Sequence, residues 1–275
     1  MAITPTPEAF DTARLGLTKL SGSIGARAEV SLDAVLEDGT TQQALKAALH
    51  EHLVLVFPRL SPSPQQQEQL ARTFGDLQPV ESYNVAHPDA EYVTVFDSVE
   101  GYKADRWHSD ATWREEVPMG ASLCMVRCPS YGGDTLFANT HAAWDSLSGG
   151  MRSLLAGRRA LHEIGPGSSF EHPVVIAHPV TGRPALFVNR IFTRGITNLP
   201  QEESDAVLPF LMEHVSRPEF TYRHRWQEGD VVIWDNWATQ HYAVFDYDEQ
   251  RIAHRVAFIG QALEAADVTT GRVDD

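Results

Sequence analysis

The segment DRWHSDATW sets His108 and Asp110 two residues apart. In extended chain, side chains at i and i+2 point to the same face, so an imidazole and a carboxylate there can converge on one ion. Two histidines and one carboxylate on one face of an octahedral metal leave three positions open, the arrangement of non-haem Fe(II) centres that activate O2. The spacing alone is weak evidence, because a second His-x-Asp, His87-Pro88-Asp89, occurs in the same chain. Its proline restricts the residue before it and reads as a solvated turn.

The second histidine must come from elsewhere, and His108 leaves eleven of the twelve formally available. His241 stands out because it ends EGDVVIWDNWATQH. There a Glu-Gly-Asp turn feeds an apolar strand whose polar end carries the imidazole. His172 and His178 each precede a proline and read as loop or strand-end residues. His50, His52 and His214 fall in helical patterns, and His254 alternates with core residues. A histidine of this kind is more often a satisfied structural residue than a ligand.

Arg251 and Arg255 are four apart in the β-pattern RIAHRVAFI. They share one face, roughly 13 Å apart along the strand. Two guanidinium groups on an otherwise apolar face are costly unless each meets an anion. The planar fork of arginine suits a carboxylate or a sulfonate, although a protein Asp or Glu would serve equally. In GGDTLF the glycines make a turn and Thr135 opens a strand, where its hydroxyl is free to donate to a carboxylate.

These residues need a scaffold of strands. Candidates are LVLVF (53–57), YVTVF (92–96), ASLCMVRC (121–128), ALFVN (185–189), FTYRHRW (220–226), VVIWD (231–235) and IAHRVAFI (252–259). Helices are expected over residues 41–51, from Ser63 as a cap through Pro64 and Gln66 to Gly75, and from about Pro200, where Pro209 interrupts the apolar stripe. The pattern predicts a mainly β protein, a sandwich or jelly roll with flanking helices. One domain over residues 13–263 is expected between a frayed N-terminus (1–12) and a polar tail (264–275).

The 275 residues are 43% hydrophobic, enough for a sizeable core. A formal net charge of −15 argues against nucleic acid as partner, since phosphate binding needs clustered Lys and Arg. It leaves room for a small anion held by a buried arginine, and for a homo-oligomer. Cys124 and Cys128 read as small core side chains, too far apart on a strand to bond. No basic-then-apolar leader opens the chain and no apolar run is long enough to span a bilayer, which reads as a cytoplasmic protein with no membrane partner.

Taken in register, FGDL, WHSDATW, PSYGGDTLFAN, HPVTGRPALFVNRIF, WDNWATQHYAVFDY and RIAHR resemble the taurine/2,4-dichlorophenoxyacetate dioxygenase family over residues 14–262. The resemblance implies a double-stranded β-helix core and Fe(II) held by His108, Asp110 and His241. It implies 2-oxoglutarate held by Thr135 and Arg251, with O2 as second co-substrate and succinate and CO2 as products. Arg255 falls where family members bind the anionic group of the prime substrate, and Phe192 and Tyr83 fall where aromatic residues face it. Val80 and Ala104 replace polar groups that the taurine enzyme uses, and the lid segment HEIGPGSSFEHPVV is short. The expected substrate is therefore a small sulfonate, sulfate ester or carboxylate with an apolar body, preferred over taurine. The alternatives are a Zn or Mn cupin-type hydrolase and a non-catalytic metal-binding protein.

Overall fold

A computed structural model describes residues 12–98 and 104–268. The first unit comprises the two-residue strands β1 (Thr18–Lys19) and β2 (Ala26–Arg27), helices α1 (Leu32–Glu37) and α2 (Gly39–His52), strand β3 (Val54–Phe57) and helix α3 (Pro64–Arg72). Strands β4 (Val85–Ala86), β5 (Thr94–Asp97), β6 (Glu116–Val117), β7 (Gly120–Arg127) and β8 (Thr135–Asn139) follow, then helices α4 (Thr140–Asp145) and α5 (Gly149–Leu155). Next come β9 (Arg159–Gly165), β10 (Ser168–Pro173), β11 (Val175–Ala177), β12 (Pro184–Leu186), β13 (Thr193–Ile196) and helix α6 (Gln201–Val215). The chain closes with β14 (Thr221–His224), β15 (Val231–Asp235), β16 (Thr239–Ala243), β17 (Ile252–Ala257) and β18 (Gln261–Ala262).

Eight strands form the major sheet in the order β1-β2-β3-β15-β7-β17-β5-β4. A three-stranded sheet, β14-β8-β16, supplies the opposing wall of the jelly roll. The runs VLVF and VVIWD lack polar alternation because both faces of the major sheet are covered. Val54, Val56, Val232, Trp234 and Ala253 face inward, where they meet Phe137 of β8 and Trp226. Leu55, Phe57, Val231, Ile233, Val256 and Phe258 face outward, under Leu45 and Leu49 of α2 and Leu70 of α3. That alternation puts His254 and Val256 of β17 on the helix side and turns Ala253 and Arg255 into the roll.

The Ser63 capping box forms as expected, with Ser63 Oγ accepting from Gln66 N and Gln66 Oε1 accepting from Ser63 N. Helix α3 nevertheless ends at Arg72 rather than running to Gly75, which does not adopt a left-handed conformation. Helix α6 passes through Pro209, which faces solvent, so the carbonyl it leaves unbonded can be hydrated. Strand β12 is shorter than the expected 185–189, because Asn189 Oδ1 turns the chain by accepting from Ile191 N and Phe192 N. The hairpin β9–β10 was not expected from the sequence; its apolar and polar residues do not alternate cleanly.

The tail expected from residue 264 begins later. Ala177 N donates to Glu264 O and Ala266 N donates to Val175 O, and Ala266 and Val268 pack on the core beneath α6. The remainder of the tail and nearly all of the expected frayed N-terminus lie outside the described residues.

Candidate metal centre and flanking pockets

His241 is not at the end of the VVIWD strand. A tight turn follows Asp235, and His241 is the central residue of the next strand, β16, opposite Phe137 of β8. The free edge of β16 takes up residue 108: His108 N donates to His241 O (3.0 Å) and His241 N donates to His108 O (2.7 Å). This antiparallel bridge brings the two imidazole centroids to 4.1 Å. Two further ties fix the segment that follows. Ser109 Oγ donates to Thr239 O (2.6 Å), and Asp110 N donates to Asn236 Oδ1 (2.7 Å). Asn236 in turn donates from Nδ2 to Asp110 O and Pro118 O. Asn236 thus fixes the backbone of Asp110; the WDN run before β16 was its only sequence signal.

The result is a convergent trio. Asp110 Oδ1 lies 3.8 Å from His108 Nε2 and 3.7 Å from His241 Nε2. Ligand atoms roughly 2 Å from one ion necessarily stand about 3–4 Å apart, so the spacing fits a single metal. The protonation fits as well. His108 Nδ1 donates to Arg106 O (2.8 Å), which leaves the Nε2 lone pair aimed at Asp110 and His241. Burial pushes the His241 imidazole down to about 3, with His108 adding to the effect, and burial likewise lowers His108. Both rings are neutral, as metal ligands must be. Burial raises the Asp110 carboxyl, but it is lowered on balance, the Arg255 guanidinium being the largest opposing cause.

A second trio, His50, His178 and Asp235, also brings three ligand atoms close together. Its hydrogen bonds argue against a metal. His178 Nδ1 accepts from Val180 N and Thr181 N, so its proton sits on Nε2 and is donated to Asp235 Oδ2 (2.8 Å). His50 Nδ1 reaches the same oxygen at 3.2 Å, and Asp235 Oδ1 accepts from Trp237 N and Ala238 N. His178 Nδ1 and both Asp235 oxygens are thus already engaged in hydrogen bonds. The cluster instead pins the β15–β16 turn, which sets the register of His241. His87 stays away from both trios, beside His254, with its Nδ1 accepting from Asp89 N.

The arginines have different neighbours. Arg255 donates to Asp110 Oδ2 (2.8 Å) and lines a cavity of about 70 Å³ with Val80, Tyr83, Trp113 and Ala257. Arg251 lies at the start of β17, its guanidinium 5.8 Å from the ring of Trp226. The indole of Trp226 donates to Thr135 Oγ1 (2.9 Å), so Trp226, which the sequence reading did not single out, joins the two expected co-substrate residues. Arg251 Nε is buried without a hydrogen-bond partner, and burial lowers the guanidinium pKa. A buried cation with a free donor is what an incoming carboxylate requires. Gly132 and Gly133, as expected, make the turn; both have positive φ, and a Cβ on Gly133 would stand 3.3 Å from Arg251 Cδ.

Phe192 is buried against Trp113 (4.6 Å) and His108 (6.3 Å). Tyr83 lines the Arg255 cavity but is 68% exposed, so it belongs to the rim. Ala104 O accepts from Ala243 N beside β16. The expectation of walls with few polar groups needs correction: Gln78, Glu81, Asn84 and Arg114 line the same cavity, supplied by the loop after α3 and the turn after Asp110.

Residues 16–257 match the model of the family described as taurine catabolism dioxygenase TauD, TfdA family. The chain belongs to this family. A relative from Acinetobacter baylyi, an alkylsulfatase, is 35% identical over 95% of this chain and 90% of its own length. An alpha-ketoglutarate-dependent sulfate ester dioxygenase from Pseudomonas putida is also 35% identical, over 97% of this chain and 95% of its own. The crystal structure of a taurine dioxygenase from Burkholderia xenovorans superposes with a TM-score of 0.85 at 31% identity, covering 91% of each chain. The jelly-roll core and the dioxygenase class of this TauD/TfdA member therefore stand together. Among its described residues no helix is long and apolar enough to cross a membrane.

Proposed function

We propose that this protein is an Fe(II)- and 2-oxoglutarate-dependent dioxygenase that oxidises a small organic sulfate ester or sulfonate. One observation carries the reading: Asp110 of the His108–Asp110–His241 trio lines a cavity with Arg255, while a second guanidinium, Arg251, keeps a buried Nε donor free beside Trp226, which donates to Thr135. In this assignment His108, Asp110 and His241 hold Fe(II). Arg251 and Thr135 take the far carboxylate of 2-oxoglutarate. Fe(II) with 2-oxoglutarate and O2 supplies the oxidising power that converts a C–H bond to C–OH while succinate and CO2 are released.

The protein's own residues bind and orient. Arg255 receives the substrate anion. Its contact to Asp110 Oδ2 leaves Oδ1 directed at the two imidazoles, so the same guanidinium steadies a ligand and locates the substrate beside it. Phe192 and Trp113 exclude water next to His108. Placing a hydroxyl on the carbon that bears a sulfate oxygen makes a hemiacetal sulfate, which collapses to an aldehyde and inorganic sulfate. The two 35% identical relatives, an alkylsulfatase and a sulfate ester dioxygenase, support this substrate class.

The test is a matched panel of taurine, alkyl sulfonates, alkyl sulfates and aryloxy acids, scored by substrate-dependent succinate. Val80 and Ala104 offer no side-chain hydrogen bond at the two positions where the taurine enzyme has one, although Gln78, Glu81, Asn84 and Arg114 make the cavity wall polar elsewhere. A missing partner for a polar ligand discriminates against it. An alkyl sulfate or sulfonate is expected to exceed taurine by about tenfold or more in kcat/KM. Taurine winning by that margin would overturn the reading of Val80 and Ala104, and activity confined to uncharged compounds would remove Arg255 from the substrate site.

A further inference from the structure

The cavity over Asp110 and Arg255 has two walls from separate segments. One is the loop after α3, tied to β17 through Gln78 N donating to Ala257 O. The other is the turn after Asp110, closed by Arg114 N donating to Ala111 O. An ion pair bridges them: Arg114 donates to Glu81 Oε1 at 2.7 Å. Both side chains line the cavity, yet at 32% and 28% exposure they are more open to solvent than Arg255 at 20% or Asp110 at 16%. The pair therefore sits toward the rim while the anion-binding arginine lies deeper.

The pair is braced on both sides. Gln78 Nε2 also donates to Glu81 Oε1 (2.7 Å). The carbonyl of Arg114 accepts from His172 Nε2 (2.8 Å), and its guanidinium rests 5.8 Å from the Trp113 ring. Because Glu81 neutralises Arg114, the rim offers no net charge to a second anionic group. What it offers is an obstruction above a small cavity. On the same loop as Glu81, Tyr83 on the cavity wall and Val85 expose 68% and 63% of their surface, an apolar landing for an alkyl tail that extends past the pair.

We propose that Glu81 and Arg114 form a gate that limits the length of the substrate's tail, so that the intact pair favours short-chain over long-chain organic anions. The proposal rests on the sulfate ester or sulfonate reading above. A gate and a charge-recognition site make opposite predictions for the two residues. If the pair is a gate, removing either member opens it. If Arg114 recognises negative charge, removing Arg114 weakens anions while removing Glu81 strengthens them.

The experiment compares ethyl and octyl sulfate on wild type, Glu81→Ala, Arg114→Ala and the size-conserving Glu81→Gln. Affinity is measured calorimetrically and turnover by succinate release, and each protein's thermal unfolding is checked. The octyl-to-ethyl ratio is expected to rise by about tenfold or more in both alanine variants, the scale on which added pocket room changes discrimination, and by less in Glu81→Gln. Unchanged ratios, or ratios moving in opposite directions for Glu81→Ala and Arg114→Ala, overturn the gate. Absence of turnover with intact binding would sink the sulfate reading while the affinity ratios still decide the gate; absence of binding by every form would overturn both.

Discussion

Replacing His241 or Asp110 with alanine lowers Fe(II) affinity by more than about 100-fold, because each removes a ligand outright, whereas changes in the outer shell of a metal site cost about 10–100-fold. The expectation rests on the geometry shared by His108, Asp110 and His241. Asp110 Oδ1 stands 3.7–3.8 Å from Nε2 of both imidazoles, while in the other histidine–aspartate trio His178 and Asp235 are committed to hydrogen bonds. Anaerobic addition of Fe(II) and 2-oxoglutarate should give a weak visible charge-transfer absorption in the wild type and none in either variant. His87→Ala, remote from the trio beside His254, should retain it. Normal absorption in the His241→Ala protein would refute the ligand assignment.

The second large effect separates the two arginines. Arg251→Ala should raise the KM for 2-oxoglutarate whatever the prime substrate. Loss of one partner from a buried hydrogen-bonded charge pair costs about 2–5 kcal/mol, which is roughly 30-fold to several thousand-fold. Arg251 qualifies because it is buried, stacked near Trp226, and carries a free Nε donor. Arg255→Ala should instead weaken the prime substrate, since Arg255 lines the cavity beside Asp110, whereas Arg251 lies over Trp226, the partner of Thr135. Steady-state kinetics varying each substrate in turn distinguishes the two. If both variants lost affinity for 2-oxoglutarate alone, the division of labour would be wrong.

The chemistry was more legible in the sequence than the framework that positions it. The His108–Asp110 spacing could be read because i and i+2 positions are a property of extended chain. The alternation in RIAHRVAF put Arg251 and Arg255 on one face for the same reason. His241 was found through the turn and strand that precede it, but its location was misread: the strand ends at Asp235, and a tight turn starts another. That turn depends on His50 and His178, which are 185 and 57 residues away from Asp235 in the chain. No local pattern announces such a pairing. Asn236 and Trp226 were passed over for a related reason, since each acts through a partner from a distant strand or loop. The polar rim was hidden because Glu81 and Arg114 read locally as ordinary surface charges, and only folding brings their walls together.

A dioxygenase of the TauD/TfdA family that couples O2 and 2-oxoglutarate to substrate oxidation is tested most directly by one stoichiometric measurement on Fe(II)-loaded protein with an alkyl sulfate: O2 consumed, succinate formed, aldehyde formed and sulfate released. Equal amounts of all four are expected, and no sulfate release when O2 or 2-oxoglutarate is withheld. Sulfate release that continues without O2, or that Zn(II) or Mn(II) sustains without 2-oxoglutarate, would make the protein a hydrolase and contradict that coupling.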